Sequence, residues 1–68
     1  MVNRLKQCRE EHRITQEQLA QLVGVSRQSI ISIEKGHYVP TSVLALKISF
    51  VLKLKVEDVF VLEKSDWK

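Results

Sequence analysis

Apolar residues recur three or four positions apart through most of the chain, the spacing that collects them on one face of an α-helix. Val2, Leu5, Cys8 and Arg9, then His12, form the first such series, with charges between them. They predict an amphipathic helix of about ten residues. Thr15 then opens a Thr-x-x-Gln pattern with Gln18, in which hydroxyl and amide cap the first turn reciprocally, and Leu19, Ala20, Leu22 and Val23 follow. Gly24 ends this second helix in the manner of a left-handed terminal residue. Ser26 is a good N-cap for a third helix, which carries Ile30 and Ile33 and stops at Gly36. Two helices of about eight residues, joined only by Gly24, Val25 and Ser26, must cross steeply rather than lie antiparallel.

Lys35 to Val39 reads as a loop, and Pro40 sits where a helix can only begin, with Thr41 or Ser42 as its cap. From there to about Lys53 the pattern is helical again: Leu44, Ile48, Val51 and Leu52 form one stripe. Val43, Phe50 and Leu54 widen it to an arc of roughly 220°, against the ≳100° that one core face needs. Lys47 lies inside that arc and has to snorkel. The arc therefore calls for two partners, the domain's own core and either the C-terminal tail or a second subunit. Val56 to Phe60 predicts a fifth short helix, with Glu57 and Asp58 favourably placed at its N-terminal dipole. Phe60, Val61 and Leu62 have strand character and can pair with the first residues of the chain. The expectation is one all-α domain over residues 1–68.

Composition narrows the function classes. Hydrophobic residues make up 44% and charged residues 28% of 68 positions, ordinary for a small globular domain. The longest apolar runs, Val43 to Leu46 and Val59 to Leu62, fall far short of the roughly 20 residues needed to span a bilayer. With no charged-then-apolar leader, the expected setting is the cytoplasm, away from membranes. One cysteine cannot bridge within the chain, and two histidines cannot build a metal site with it at any usual spacing, so no metal or cofactor is expected. The net charge of +3 is modest, but its distribution is uneven: residues 35–56 hold Lys35, Lys47, Lys53 and Lys55 with no acid, while residues 57–68 sum to −2. A basic middle and an acidic end fit a chain that turns one face to a polyanion.

Residues 16–35 have the arrangement of a helix-turn-helix. Ala20 is small where two crossing helices approach most closely, and Gly24 supplies positive φ where a Cβ would cost roughly a kcal/mol. Leu19, Val23, Val25, Ile30 and Ile33 hold the pair to the rest of the fold. With Ile30 set at 0° on the third helix, Ile33 falls at about −60°, whereas Gln28 and Ser32 fall at about 160° and 200°. Gln28 and Ser32 thus point outward, with Arg27 in the exposed first turn. Their hydrogen-bonding chemistry suits base edges, Gln to adenine and Arg to guanine. Ile31, at about 100°, lies on the flank, where it either touches a thymine methyl or widens the core.

The run from Thr15 through Ile30, then Ile33-Glu34-Lys35-Gly36 and Pro40, resembles the Cro/CI-type (XRE) family of helix-turn-helix regulators. The likeness continues through Leu44, Ala45, Ile48, Leu52, Val56 and Phe60. In Ala45-Leu46-Lys47-Ile48 and Glu57-Asp58-Val59-Phe60 the chain is similar to small homodimeric repressors of that family. The resemblance implies a five-helix, lambda-repressor-like domain, a two-fold dimer made through helix 4, helix 5 and the C-terminal segment, and a palindromic double-stranded DNA operator. It also implies a short antiparallel ribbon made from the chain ends. The recognition helix would span about residues 27–34, with Arg27, Gln28 and Ser32 facing bases. Gln16 would contact a phosphate, and Lys35, His37 and Tyr38 would touch the DNA backbone. Arg9 and Glu34 match a partly buried ion pair tying helix 1 to the end of helix 3.

Other chemistry finds little footing. Cys8 reads as a small core residue, and His12 as a partner of the helix dipole. Glu10 with Glu11, and Glu57 with Asp58, are adjacent on their helices and point apart, so neither pair makes a catalytic dyad. No serine sits in a nucleophile elbow and neither glycine belongs to a phosphate loop. Trp67 covers a dimer seam or lies in a disordered tail. A protein-interaction module on the same fold, such as an antitoxin or adaptor, is the alternative to a DNA-binding regulator.

Overall fold

The computed structural model describes residues 1–67. In chain order they form strand β1 (Val2–Asn3), helices α1 (Leu5–Glu11), α2 (Gln16–Val23), α3 (Arg27–Glu34), α4 (Ser42–Val51) and α5 (Val56–Val59), strand β2 (Phe60–Val61) and a 3-10 turn at Lys64–Trp67. The fold is mostly helical, with five helices and one two-stranded antiparallel sheet. Val2 pairs with Val61 and Asn3 with Phe60. Val2 therefore belongs to the sheet and stays half-exposed at 46%, instead of opening the apolar face of the first helix. The ribbon is tied to α1 by the Arg4 amide, which donates to the Val59 carbonyl at 2.7 Å. Leu62 lies just beyond the ladder and is exposed.

Local signals set the helix starts. Thr15 caps α2: its Oγ1 accepts from the Gln18 amide at 3.0 Å, and its own amide donates to Gln18 Oε1 at 2.9 Å. Ser26 caps α3 and Thr41 caps α4 by accepting from the amides of Ser29 and Leu44. The ends share one motif. Beyond α1, α2, α3 and α4, a residue at positive φ is followed by an amide that reaches back five residues, as Ile14 to Arg9, Val25 to Ala20, His37 to Ser32 and Leu54 to Ser49. Glycine fills the positive-φ position after α2 and α3 (φ 78° at both Gly24 and Gly36), but Arg13 (φ 56°) and Lys53 (φ 57°) fill it after α1 and α4. For this reason α4 ends at Val51 and does not run on to Lys53.

Leu5, Leu19, Ile30, Ile33, Ile48, Leu52 and Val59 are fully buried and come from all five helices or their ends, joined by Cys8, Ala20, Val23, Leu44 and Phe60 in one core. Val25, Val51, Leu54 and Val56 pack on its edge. Only half of the wide α4 arc faces inward. Leu44, Ile48 and Ser49 are buried, while Val43, Leu46 and Phe50 are exposed. Ser49 satisfies its hydroxyl within the helix, donating to the Ala45 carbonyl at 2.9 Å. Leu22 on α2 is likewise turned to solvent, at 63% exposure. Among the described residues no helix is long and apolar enough to cross a membrane.

Candidate nucleic-acid interface

α2 packs more closely on α3 than on any other element, and the link between them is only Gly24 to Ser26. Gly24 reverses the chain at positive φ, and Ser26 immediately starts α3. Ile30 and Ile33 are fully buried on the inner side of α3 and fix its rotation about its own axis. The outer side follows from that rotation. Arg27 and Gln28 are exposed, and Ser29, Ile31 and Ser32 are half-buried. Ile31 is not among the residues packed on the core, so it rides on the flank of α3 with part of its side chain open.

Two shallow recesses organise these side chains. In the first, about 250 Å³ in volume, Gln28 and Ser32 meet Tyr38 from the loop after α3, together with Ser26 and Ser29. Ser29 was missing from the expected reading residues, although its place one turn before Ser32 puts it on the same side of the helix. Its Oγ also lies 3.0 Å from that of Ser26, so it both buttresses the cap and lines the recess. In the second recess, about 480 Å³, Arg27 stands across from Thr15, Gln16 and Glu17 at the N-terminus of α2 and from Arg9 of α1. Arg27 is thereby grouped with Gln16 and separated from Gln28. Lys35 and His37 are exposed and line neither recess.

Beneath the second recess lies a charged network. Glu34 accepts from Arg9 Nε at 2.7 Å, from Arg9 Nη2 at 3.3 Å and from Gln16 Nε2 at 3.0 Å, while Arg9 Nη1 donates to the Ile14 carbonyl at 2.9 Å. The Arg9 and Glu34 side chains are 10% and 5% exposed. The Glu34 carboxylate thus ties α1 and the start of α2 to the end of α3, and the Arg9 guanidinium adds the α1–α2 loop. Gln16 commits one amide hydrogen to Glu34 and keeps its second free. Asn3, which sequence periodicity does not single out, donates from Nδ2 to the Ile33 carbonyl at 2.9 Å and so secures the last turn of α3 from the strand side.

The arrangement of a capped helix, a positive-φ glycine and a second helix with a polar outer face extends over a recognised length of chain: the helix-turn-helix family profile matches residues 5–59. The chain belongs to the XRE-type helix-turn-helix regulators. This helix-turn-helix protein is 50% identical over 66 residues to an uncharacterized HTH-type transcriptional regulator, MJ0272, of Methanocaldococcus jannaschii, covering 97% of this chain and all of that one. It is 47% identical over 66 residues to YgzD of Bacillus subtilis, described in the same terms, again covering 97% and 100% of the two chains. Among solved structures it is similar to the restriction-modification controller protein C.AhdI from Aeromonas hydrophila, with a TM-score of 0.78 and 30% identity over 84% of this chain and 86% of that one. The helix-turn-helix regulators are DNA-binding transcriptional regulators and a non-enzymatic class, so the outer face of α3 is the surface on which its function is to be sought.

Proposed function

We propose that the protein is a homodimeric, sequence-specific repressor acting in the cytoplasm, and that each subunit lays α3 in the major groove of a palindromic operator. The observation that carries this reading is the polarity of α3, with Ile30 and Ile33 fully buried on one side and Arg27 and Gln28 exposed at the N-terminal end of the other. That end is the part of a recognition helix that reaches base edges. Gln28 is assigned to adenine, Arg27 to guanine, and Ser32 to whichever edge its hydroxyl meets, with Ile31 beside a thymine methyl. Gln16, through its free amide hydrogen, and Lys35, His37 and Tyr38 are assigned to the backbone, where they set register without reading sequence. The Arg9–Glu34 pair holds Gln16 and α3 at a fixed separation.

The second subunit is expected at α4, at α5 and along the C-terminal segment that follows. Val43 on α4, and Leu62 and Trp67 on that segment, are exposed at 61%, 59% and 76%, and a domain below roughly 70–80 residues gains stability from association. Pairing would set two copies of α3 about one helical turn apart, roughly 34 Å.

Selection of bound duplexes from a random pool at a stated salt concentration tests the reading. The expected product is a palindrome with half-sites one turn apart. Gln28→Ala should weaken that site by about 1–3 kcal/mol and relax one base position, whereas Lys35→Ala should weaken all sequences alike and flatten the salt dependence. Unchanged isotherms for both variants would overturn the assignment of the reading face.

A further inference from the structure

We infer that Tyr38 is a specificity-determining residue, its ring completing with α3 a recess that takes the C5-methyl group of a thymine beside the base that Gln28 reads. The inference rests on the operator reading proposed above and sharpens it, because it gives Tyr38 a sequence-reading task in addition to its backbone contact. The recess, about 250 Å³, is lined by Gln28, Ser29 and Ser32 along α3, by Ser26 at the cap and by Tyr38 from the loop.

Backbone geometry holds the Tyr38 wall in place. Gly36, at φ 78°, turns the chain back at the end of α3. Its amide donates to the Ile33 carbonyl and the His37 amide to that of Ser32, both at 2.9 Å. Tyr38 is the next residue, so the same turn that ends the helix sets the ring against its outer face. Tyr38 is only 41% exposed, so much of its surface is already covered in the free protein. The recess is formed before DNA arrives, and filling it carries little ordering cost.

The chemistry of the lining selects the occupant. None of the five residues is charged, so a phosphate here would meet no cation. Two of the three serine hydroxyls are engaged with each other: Ser26 Oγ lies 3.0 Å from Ser29 Oγ and also accepts from the Ser29 amide at 3.2 Å. The surface left for an occupant is largely carbon, from the methylenes of Gln28, Ser29 and Ser32 and the ring of Tyr38. Among the groups that base edges present in the major groove, the thymine C5-methyl is the apolar one. Ile31 does not line this recess, so the methyl is distinct from the one assigned to the flank of α3. Gln28 belongs both to the recess and to the base-reading set, which places the thymine within about one base pair of its adenine.

The test replaces each thymine of the selected operator in turn by uracil, which removes the methyl group and keeps every hydrogen-bonding group, and measures binding at one salt concentration. Wild type should bind one such duplex, altered next to the position that Gln28→Ala relaxes, about three- to tenfold more weakly, the effect of no longer burying one methyl group. Tyr38→Ala should bind the thymine and uracil duplexes alike. Tyr38→Phe, which keeps the ring and loses the hydroxyl, should bind both more weakly and retain the discrimination, and Ile31→Ala should retain it too. The inference is overturned by a selected site with no thymine at that place, by the absence of a uracil penalty there, by a penalty that persists in Tyr38→Ala, or by one that vanishes in Tyr38→Phe or Ile31→Ala. If Gln28→Ala still relaxes its own base in those cases, the operator reading stands and only the role of Tyr38 falls. A pool that yields no palindrome, with binding indifferent to Gln28→Ala, overturns both.

Discussion

Removing the Glu34 carboxylate puts the charged network under direct strain. In Glu34→Ala the Arg9 guanidinium keeps its bond to the Ile14 carbonyl but loses its Nε and Nη2 acceptor, in a side chain only 10% exposed. Gln16 Nε2 loses its acceptor as well. An uncompensated buried charge of this kind costs about 3–5 kcal/mol, well above the roughly 0–1 kcal/mol of a surface pair. The whole domain is expected to hold only about 3–10 kcal/mol, at 0.05–0.15 kcal/mol per residue. The variant should therefore lose a third or more of its stability, and its Tm should fall by about 12–40 °C. Circular dichroism through urea and heat, at one fixed protein concentration because association shifts the midpoint, measures the loss. The double variant Arg9→Met/Glu34→Leu removes both charges and should recover most of it. A cost below about 1 kcal/mol for Glu34→Ala would show that solvent already screens the pair. A double variant that costs the sum of the two single changes would show that Arg9 and Glu34 are not coupled.

Lys53→Gly should raise stability by about 0.5 kcal/mol, because relief of a side chain at φ 57° outweighs the added unfolded-state freedom and the lost attraction of the ammonium to the α4 terminus. A lowered urea midpoint would refute that balance. Burial pushes the Cys8 thiol up from its ordinary value, and the residue is 7% exposed. Its reaction with a disulfide reagent at pH 8 should thus follow domain opening and accelerate with urea, and prompt labelling of the native protein would contradict its burial. The Glu63 amide, donating to Asp66 at 2.8 Å, holds the Asp66 carboxyl below the usual carboxylate value. A depressed folded value means that the contribution of this contact is complete above about pH 3.9 and lost as pH falls through the lower folded value. Trp67 fluorescence should report that loss in acid, and Asp66→Asn should abolish the pH step while leaving neutral-pH emission in its acid-side state.

The helix-turn-helix was legible because its determinants are local. Thr15 with Gln18, Ser26 and Gly24 act within one turn of the chain they shape, so each announces its own cap or reversal. The antiparallel pairing of Val2 with Val61 joins residues far apart in the chain; the strand character of Phe60–Leu62 announces it, but helical spacing alone places Val2 on the first helix. The positive φ of Arg13 and Lys53 is silent in the sequence, since glycine is the usual marker of that conformation. Periodicity told which residues share a face but not what covers it. Leu22 and Phe50 have the composition of core residues, yet among the described residues they stay exposed at 63% and 84%, while Leu19 and Ile48 in the same helices are fully buried.

The reading side chains divide the same way. The outward direction of Gln28 follows from the burial of Ile30 and Ile33 a few residues on, within a single helix, and was accessible from spacing alone. The grouping of Gln28 and Ser32 with Tyr38, and of Arg27 with Gln16, depends on how a loop folds back and how two helices cross, which no one-dimensional pattern contains. The Gln16 contact with Glu34 spans 18 positions and exists because Arg9 first anchors the carboxylate. The residues assigned to bases therefore rest on the rigidity of α3, and Gln16, assigned to a phosphate, rests on the charged network. The two sets are separable by experiment. Glu34→Gln, which weakens the network while keeping a hydrogen-bonding group of the same shape, should lower operator affinity without changing the order of preferred bases, whereas Gln28→Ala should change that order.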